Sequence, residues 1–480
     1  MAASHYAVIA EENEDEAETR LLVAARRKIQ LRNVVLMGII FMLLSSASQT
    51  CSTVETIVIN SVHDQYFNGT STMGYNLLAV LNGVIAGSVW ISQTIVSNIG
   101  PKNGMLIGAI CYAIFVSAFI RPLKGTLYAG TIILGLGQAL LWTSEGTFLS
   151  INSDPETIGR NSALFWALYQ TSLLWGNLFF FYKLHGHETI DSTDRYWIFG
   201  ALLVLAILGA LVILLLKYPL PKTISPTASI ASQDEGVKSR SILESIASSF
   251  RLIKTKRILL LSWTFMYIAL EQTFWSNVYD SSLGYTKAFG TTVTQSLVGL
   301  SGVVVGIGEI LGSITFGFLD ARFPRMGRDP IIISGFLLHV LAIFFVFLNI
   351  PNDAPLGDTF TDAYIRPNFY LALLCSALFG FGDSAFNTQL YSFLGEVYVA
   401  DSVPVFALFQ FIWGLTCCGA FFYSTVLQLH YQLLILIIVG FLSVVTFCSL
   451  EWGVRRSPDR LSAINGPGVE HQGLLHSHDT

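Results

Sequence analysis

The 480-residue chain is 52% hydrophobic and only 12% charged, with a net charge of −5 and a mean hydropathy of +0.58. Soluble domains carry roughly 25% charge, so most of this chain does not face water. The small net charge gives no reason to expect a nucleic-acid partner, and the sequence holds no P-loop, no HExxH pair and no soluble domain for a nucleophile and base, which points away from an enzyme.

Residues 1–32 form a tail that runs from an acid stretch, Glu11 to Glu18, to the basic cluster Arg26, Arg27, Lys28 and Arg32. The acids read as solvated chain and the bases as an anchor at the cytosolic membrane edge. With no apolar core in this tail, no cleavable signal peptide is expected, and the first membrane helix serves as its own insertion signal. Apolar runs follow at about 33–55, 75–97, 104–120, 126–150, 161–182 and 196–216. A polar stretch, 217–257, precedes six more at about 258–280, 291–319, 330–349, 368–392, 404–426 and 431–450, and a polar tail closes the chain at 451–480. A bilayer core admits only helices or closed barrels, and runs of about 20 apolar residues are helices. The expected fold is all-α and integral to the membrane, with twelve spans in two six-helix bundles over 33–216 and 258–450.

Orientation follows from the basic residues. With the N-terminus cytosolic, 21 of the 27 Lys and Arg residues fall on cytosolic segments, which also places the C-terminus in the cytosol. The sequon Asn68-Gly69-Thr70 then lies in the first non-cytosolic loop, where a glycan could be attached. The stretch 217–257 opens on Pro219, Pro221 and Pro226 and ends in a helical pattern, with Ile242, Ile246, Phe250 and Ile253 on one face and Arg251, Lys254, Lys256 and Arg257 nearby. It reads as a flexible linker and an amphipathic helix on the cytosolic membrane surface. The six cysteines lie in apolar runs without zinc spacing, so no metal or other cofactor is expected.

The halves echo one another. Gly135-Leu-Gly-Gln138 is matched by Gly380-Phe-Gly-Asp383, Ala167-Leu-Tyr-Gln170 by Ala407-Leu-Phe-Gln410, and Gln49-Thr50 by Gln272-Thr273. Such duplication is common in secondary transporters. The layout resembles the major facilitator superfamily, whose signature loop is best kept at Gly317-Phe-Leu-Asp320-Ala-Arg322 and Gly327-Arg328; the first copy, Ser97-Asn-Ile-Gly100-Pro-Lys102, lacks the acid and the arginine. Leu141-Trp-Thr-Ser-Glu-Gly146, Ile151-Asn-Ser-Asp154, Gly159-Arg-Asn-Ser-Ala-Leu-Phe-Trp-Ala167 and the run Phe41 to Cys51 are similar to the unc-ninety-three-like family of that superfamily. The resemblance implies pseudo-symmetric bundles around a central cavity lined by spans 1, 4, 7 and 10. It also implies membership of a family described as regulating ion channels or receptor trafficking.

Charges inside spans cost about 2.5–3.5 kcal/mol on insertion scales, so each asks for a reason. The intramembrane charges are all acids: Glu55, Glu145, Glu271, Glu309 and Asp383, and four of them fall on the cavity spans that the resemblance implies. Without an internal base, such carboxyls are expected to be protonated at rest or balanced by a bound cation. Glu145, Glu271 and Asp383 are the leading coupling candidates, with Gln49 beside them on span 1 and Trp142, one turn from Glu145, able to flank a cation. Structural hydrogen bonding between helices is the competing role. Glu309, among Gly302, Gly306, Gly308 and Gly312, reads first as part of a tight helix contact, and His339 as packing. After span 4, Asp154-Pro155-Glu156 should start a short helical turn ended by Gly159, with Arg160 opening span 5. The resemblance implies a cytosolic latch of Asp320 on Arg160. On the other side, Ser97 and Ala400-Asp401 replace both latch members. In the C-terminal tail, Glu470, Leu474 and Leu475 match an acidic-dileucine sorting pattern, favouring an endosomal or lysosomal membrane over the plasma membrane. Two functions remain: a secondary transporter of a small solute, with cations among the candidates, using protons, and a membrane scaffold that regulates or escorts a channel or receptor.

Overall fold

A computed structural model of the chain describes residues 20–51, 73–184, 192–218, 242–323, 326–424 and 426–455. The described residues form helices α1 (Arg20–Cys51), α2 (Met73–Ile99), α3 (Pro101–Ala118), α4 (Lys124–Ile151), α5 (Ile158–Leu184) and α6 (Ser192–Ile213), then the linker helix α7 (Ile242–Ile253). The second half holds α8 (Lys256–Thr273), which runs through a π turn at Phe274–Tyr279 into α9 (Asp280–Tyr285), followed by α10 (Thr291–Arg322), α11 (Asp329–Asn349), α12 (Phe369–Val397), α13 (Ser402–Ser424) and α14 (Leu429–Arg455).

Ten of these helices are long and apolar enough to cross a membrane. The two expected spans that fall short are α5 and α8. Helix α5 carries Arg160, Asn161, Gln170 and Lys183; α8 opens on Lys256 and Arg257 and ends in Glu271, Gln272 and Thr273. Helix α5 runs along α10 and α12 and α8 along α13 and α14, so Asn161, Gln170 and Glu271 are buried against protein, while Arg160, Lys256 and Arg257 stay exposed at the helix starts. The most apolar helices, α6, α11 and α14, display Leu208, Leu337 and Phe441 on the outside.

Two seams join the halves. At one, α2 lies on α13, with Gly414 against Ala86 and the Trp90 and Phe411 rings 4.9 Å apart. At the other, α5 lies antiparallel to α10, with Gly306 opposite Leu173 and Leu174 and Gly317 against Ala163. Within the C-terminal half, Gly308, Gly312 and Gly380 bring the backbones of α10 and α12 together, since small residues are what allow close helix contact where lipid offers no hydrophobic drive.

Three local expectations change. Residues from Arg20 on, inside the stretch read as a tail, are already helical, and Arg26 pairs with Asp154 at 3.1 Å instead of serving only as a lipid anchor. Gly159 ends no turn: it lies buried within α5, which begins at Ile158 after the Asp154–Thr157 turn. Helix α7 packs against α2 and α13 rather than resting on lipid alone.

Candidate functional site

Three helices of the C-terminal half bring three acids together. Glu271 lies one turn before the end of α8, Glu309 in mid-α10 and Asp383 in mid-α12, and all three are at most 1% exposed. Glu271 and Glu309 both lie within electrostatic reach of the Asp383 carboxyl. The Oδ1 atom of Asp383 accepts from Asn387 Nδ2 at 2.7 Å and from Gln272 Nε2 at 3.5 Å, and Gln272 in turn accepts from Trp413 Nε1 at 3.1 Å. No donor meets Oδ2 of Asp383 or any carboxyl oxygen of Glu271 or Glu309. His339 of α11 stands behind Glu271, its Nε2 at 3.8 Å from Oε2, while Nδ1 meets the Tyr267 hydroxyl at 2.8 Å and Nε2 the Phe379 carbonyl at 3.1 Å.

A carboxyl set against another carboxyl has two acceptors and no donor unless a proton or a cation lies between them. Among the described residues, no lysine or arginine pairs with these acids. The glycine-lined contact between α10 and α12 carries Glu309 to Asp383, so the tight helix contact expected of Glu309 and a place in the acid cluster are one arrangement. His339 and Asn387, which the sequence offers only as isolated polar residues, also belong to it.

Glu145 sits apart, on α4 in the N-terminal half. It is fully buried, and its carboxyl lies within electrostatic reach of the Tyr391 hydroxyl on α12. Tyr391 lies eight residues beyond Asp383, about 12 Å along the helix axis. Its ring meets Trp166 at 5.4 Å and Phe406 at 5.2 Å; Trp142 stacks on Trp166 at 6.0 Å and meets Phe41 at 4.9 Å and Tyr169 at 5.3 Å. Tyr169 stands within electrostatic reach of Glu309 and Asp383, so this aromatic group links the two acid sites across the halves.

Gln49 is half-buried near the end of α1. Arg160 is exposed, and its guanidinium donates to Asn161 Oδ1 at 3.2 Å. The backbone of Asp320 is helical, and its side chain lies outside the described residues. The α5–α10 register that sets Gly317 against Ala163 brings Asp320 level with Arg160 one turn further along. Glu55, Asn68, Glu470, Leu474 and Leu475 also lie outside the described residues.

The better copy of the signature loop holds a second charge cluster, at the end of the bundle where α14 finishes. Arg328, 5% exposed, donates to Glu451 at 3.0 Å and to Ser392 Oγ at 3.0 Å, and pairs with Glu396. Burial works against its charge, but contact with Glu451 and Glu396 outweighs this and holds the guanidinium above its ordinary range. Arg455 adds contacts to Asp329 at 2.5 Å and Glu451 at 3.3 Å. The cluster fastens the start of α11 to α12 and α14.

A family model described as ion channel regulatory protein UNC-93 matches residues 68–448. The chain belongs to the UNC-93 family. Among its relatives, UNC93-like protein MFSD11 of Xenopus tropicalis is 38% identical over 437 residues, covering 89% of this chain and 97% of that protein. Protein unc-93 homolog A of Homo sapiens is 24% identical over 481 residues, covering 92% and 97%. Among solved structures, the proton:xylose symporter XylE aligns with a TM-score of 0.61 at 14% identity, covering 89% of this chain and 96% of XylE. The Escherichia coli fucose:proton symporter FucP aligns at 0.57 with 12% identity, covering 86% and 97%. The UNC-93 chain is therefore a multi-pass membrane protein with the major facilitator fold.

Proposed function

We propose that this UNC-93 family member is a secondary transporter for a small organic cation, coupled to protons. Glu271, Glu309 and Asp383 are the coupling site, and Glu145 is the solute's counter-charge. The observation that carries this is the gathering of three buried carboxyls that no lysine or arginine pairs with among the described residues, with no donor on either oxygen of Glu271 or Glu309. Unpaired ions at that depth cost several kcal/mol each, so the cluster keeps protons or a cation while it is buried and can release them when its side of the bundle opens. Glu145, near Tyr391 and one turn from Trp142, whose rings pack with Trp166 and Tyr169, offers a carboxylate beside ring faces, the chemistry that suits an ammonium. Gln49 lies on the neighbouring α1 as a further polar contact.

Both termini lie in the cytosol in this reading, the loop holding Asn68 faces the other side, and the Glu470-Leu474-Leu475 signal directs the protein to endosomes or lysosomes. Asp320 docks on Arg160 and the start of α5, closing the cytosolic end of the α5–α10 seam. The family model's description favours a second reading, a scaffold that regulates a channel or receptor.

Reconstituted vesicles decide between them. Uptake of tetraethylammonium or of members of an amine panel should rise with an imposed pH gradient. Glu145→Gln should abolish uptake, and Asp383→Asn or Glu309→Gln should leave exchange but remove the pH dependence. Absence of flux across the panel, with a membrane protein co-purifying in constant ratio, overturns transport in favour of the scaffold.

A further inference from the structure

The two seams between the halves are closed differently at the end where α2 finishes and α13 begins. At the α5–α10 seam the chain retains Asp320 and Arg160; at the α2–α13 seam Ser97 and Ala400-Asp401 stand where a second ion pair would be. Yet the α2–α13 seam is not left bare, because α7 lies across it. Ser249, fully buried, donates its hydroxyl proton to Gln93 Oε1 of α2 at 2.7 Å, and Gln93 is itself fully buried. The Phe250 ring stacks on Trp90 at 5.7 Å with an interplanar angle of 8°, and Trp90 leans on Phe411 of α13 at 4.9 Å. The contacts thus run unbroken from the linker through the first half into the second.

We infer that α7 is a displaceable brace that holds the α2–α13 seam shut, in the place of the missing ionic latch. Parting α2 from α13 at this end separates Trp90 from Phe411 and takes α7 off one of the two helices it packs on. The hold is modest: one buried hydrogen bond and one stacked ring pair together bias an equilibrium by about ten- to a hundredfold, enough to favour the closed seam and little enough to be released. Phe250 remains 53% exposed and Arg251 and Lys254 face outward, so the brace presents a free side by which it can be pulled away. An ion pair spans its seam by charge alone; a helix on the chain that connects the two halves makes closure depend on the linker. The inference stands on the seam geometry and holds whether the protein transports or scaffolds.

Hydrogen exchange of the full chain in lipid nanodiscs, read peptide by peptide, tests it. Ser249→Ala with Phe250→Ala should speed exchange about tenfold or more in the last turns of α2 (90–99) and the first turns of α13 (402–411), leaving α5 (158–164) and the end of α10 (315–322) unchanged. Phe250→Tyr, which keeps the ring, should restore most of the protection. Unchanged exchange at α2 and α13 overturns the brace. An equal rise at both seams also overturns it, since that reports general loosening rather than a local closure.

Discussion

The turn between α2 and α3 and the turn between α10 and α11 occupy the same place in the two repeats, yet they fasten their halves by different physics. In the first, Lys102 reaches the free carbonyls at the end of α6, Leu214 at 3.1 Å and Leu216 at 2.7 Å, while Asn33 of α1 bonds the Lys217 carbonyl at 2.5 Å and Asn152 at 2.6 Å. The cation meets backbone dipoles, whose last four carbonyls have no partner within the helix. In the second, Arg328 is sunk among Glu451, Glu396 and Ser392 at the ends of α14 and α12. The first device is tolerant, because water can replace a lost side chain. The second is not, because each charge is desolvated and depends on the others.

The two devices should therefore break unequally. Arg328→Met leaves Glu451 buried without its main partner and should cost about 3–5 kcal/mol, read as a large fall in the thermal unfolding midpoint of the purified protein. Arg328→Met combined with Glu451→Met should be less damaging than the first change alone, because no uncompensated carboxylate remains; a double variant at least as unstable as the sum of the singles would mean that the pair does not act as a unit. Lys102→Ala should cost about 1 kcal/mol or less, with Lys102→Arg near neutral. If Lys102→Ala matches Arg328→Met, the contrast between the halves is wrong.

The same contrast marks how far residues could be placed from their order in the chain. The spans were legible because the bilayer imposes a length and an apolarity that a window of the sequence reveals; α5 and α8 are less apolar, and their Asn161, Gln170 and Glu271 are buried against neighbouring helices. Glu145, Glu271 and Asp383 could be singled out because charge in an apolar run is costly. Their grouping could not: Glu271 and Asp383 come together with Glu309, whereas Glu145 faces Tyr391. His339 gave no signal, since an isolated histidine says nothing of the carboxyl 3.8 Å away on another helix. The amphipathic pattern of α7 marks an apolar face but is silent on whether lipid or protein covers it; Trp90 and Gln93, some 150 residues earlier in the chain, supply that cover.

By itself, then, the sequence determined that this chain is a duplicated bundle of membrane helices of the UNC-93 family with acids, and no lysine or arginine, deep inside its spans. Those properties are local: apolar length, charge cost and motif spacing are each contained in a few dozen consecutive residues. Only the tertiary structure decided which acids meet, that the α10–α12 glycines carry Glu309 to Asp383, and that the linker helix bridges α2 and α13. These depend on helix register and rotation, set by side-chain packing between segments that lie far apart in the chain.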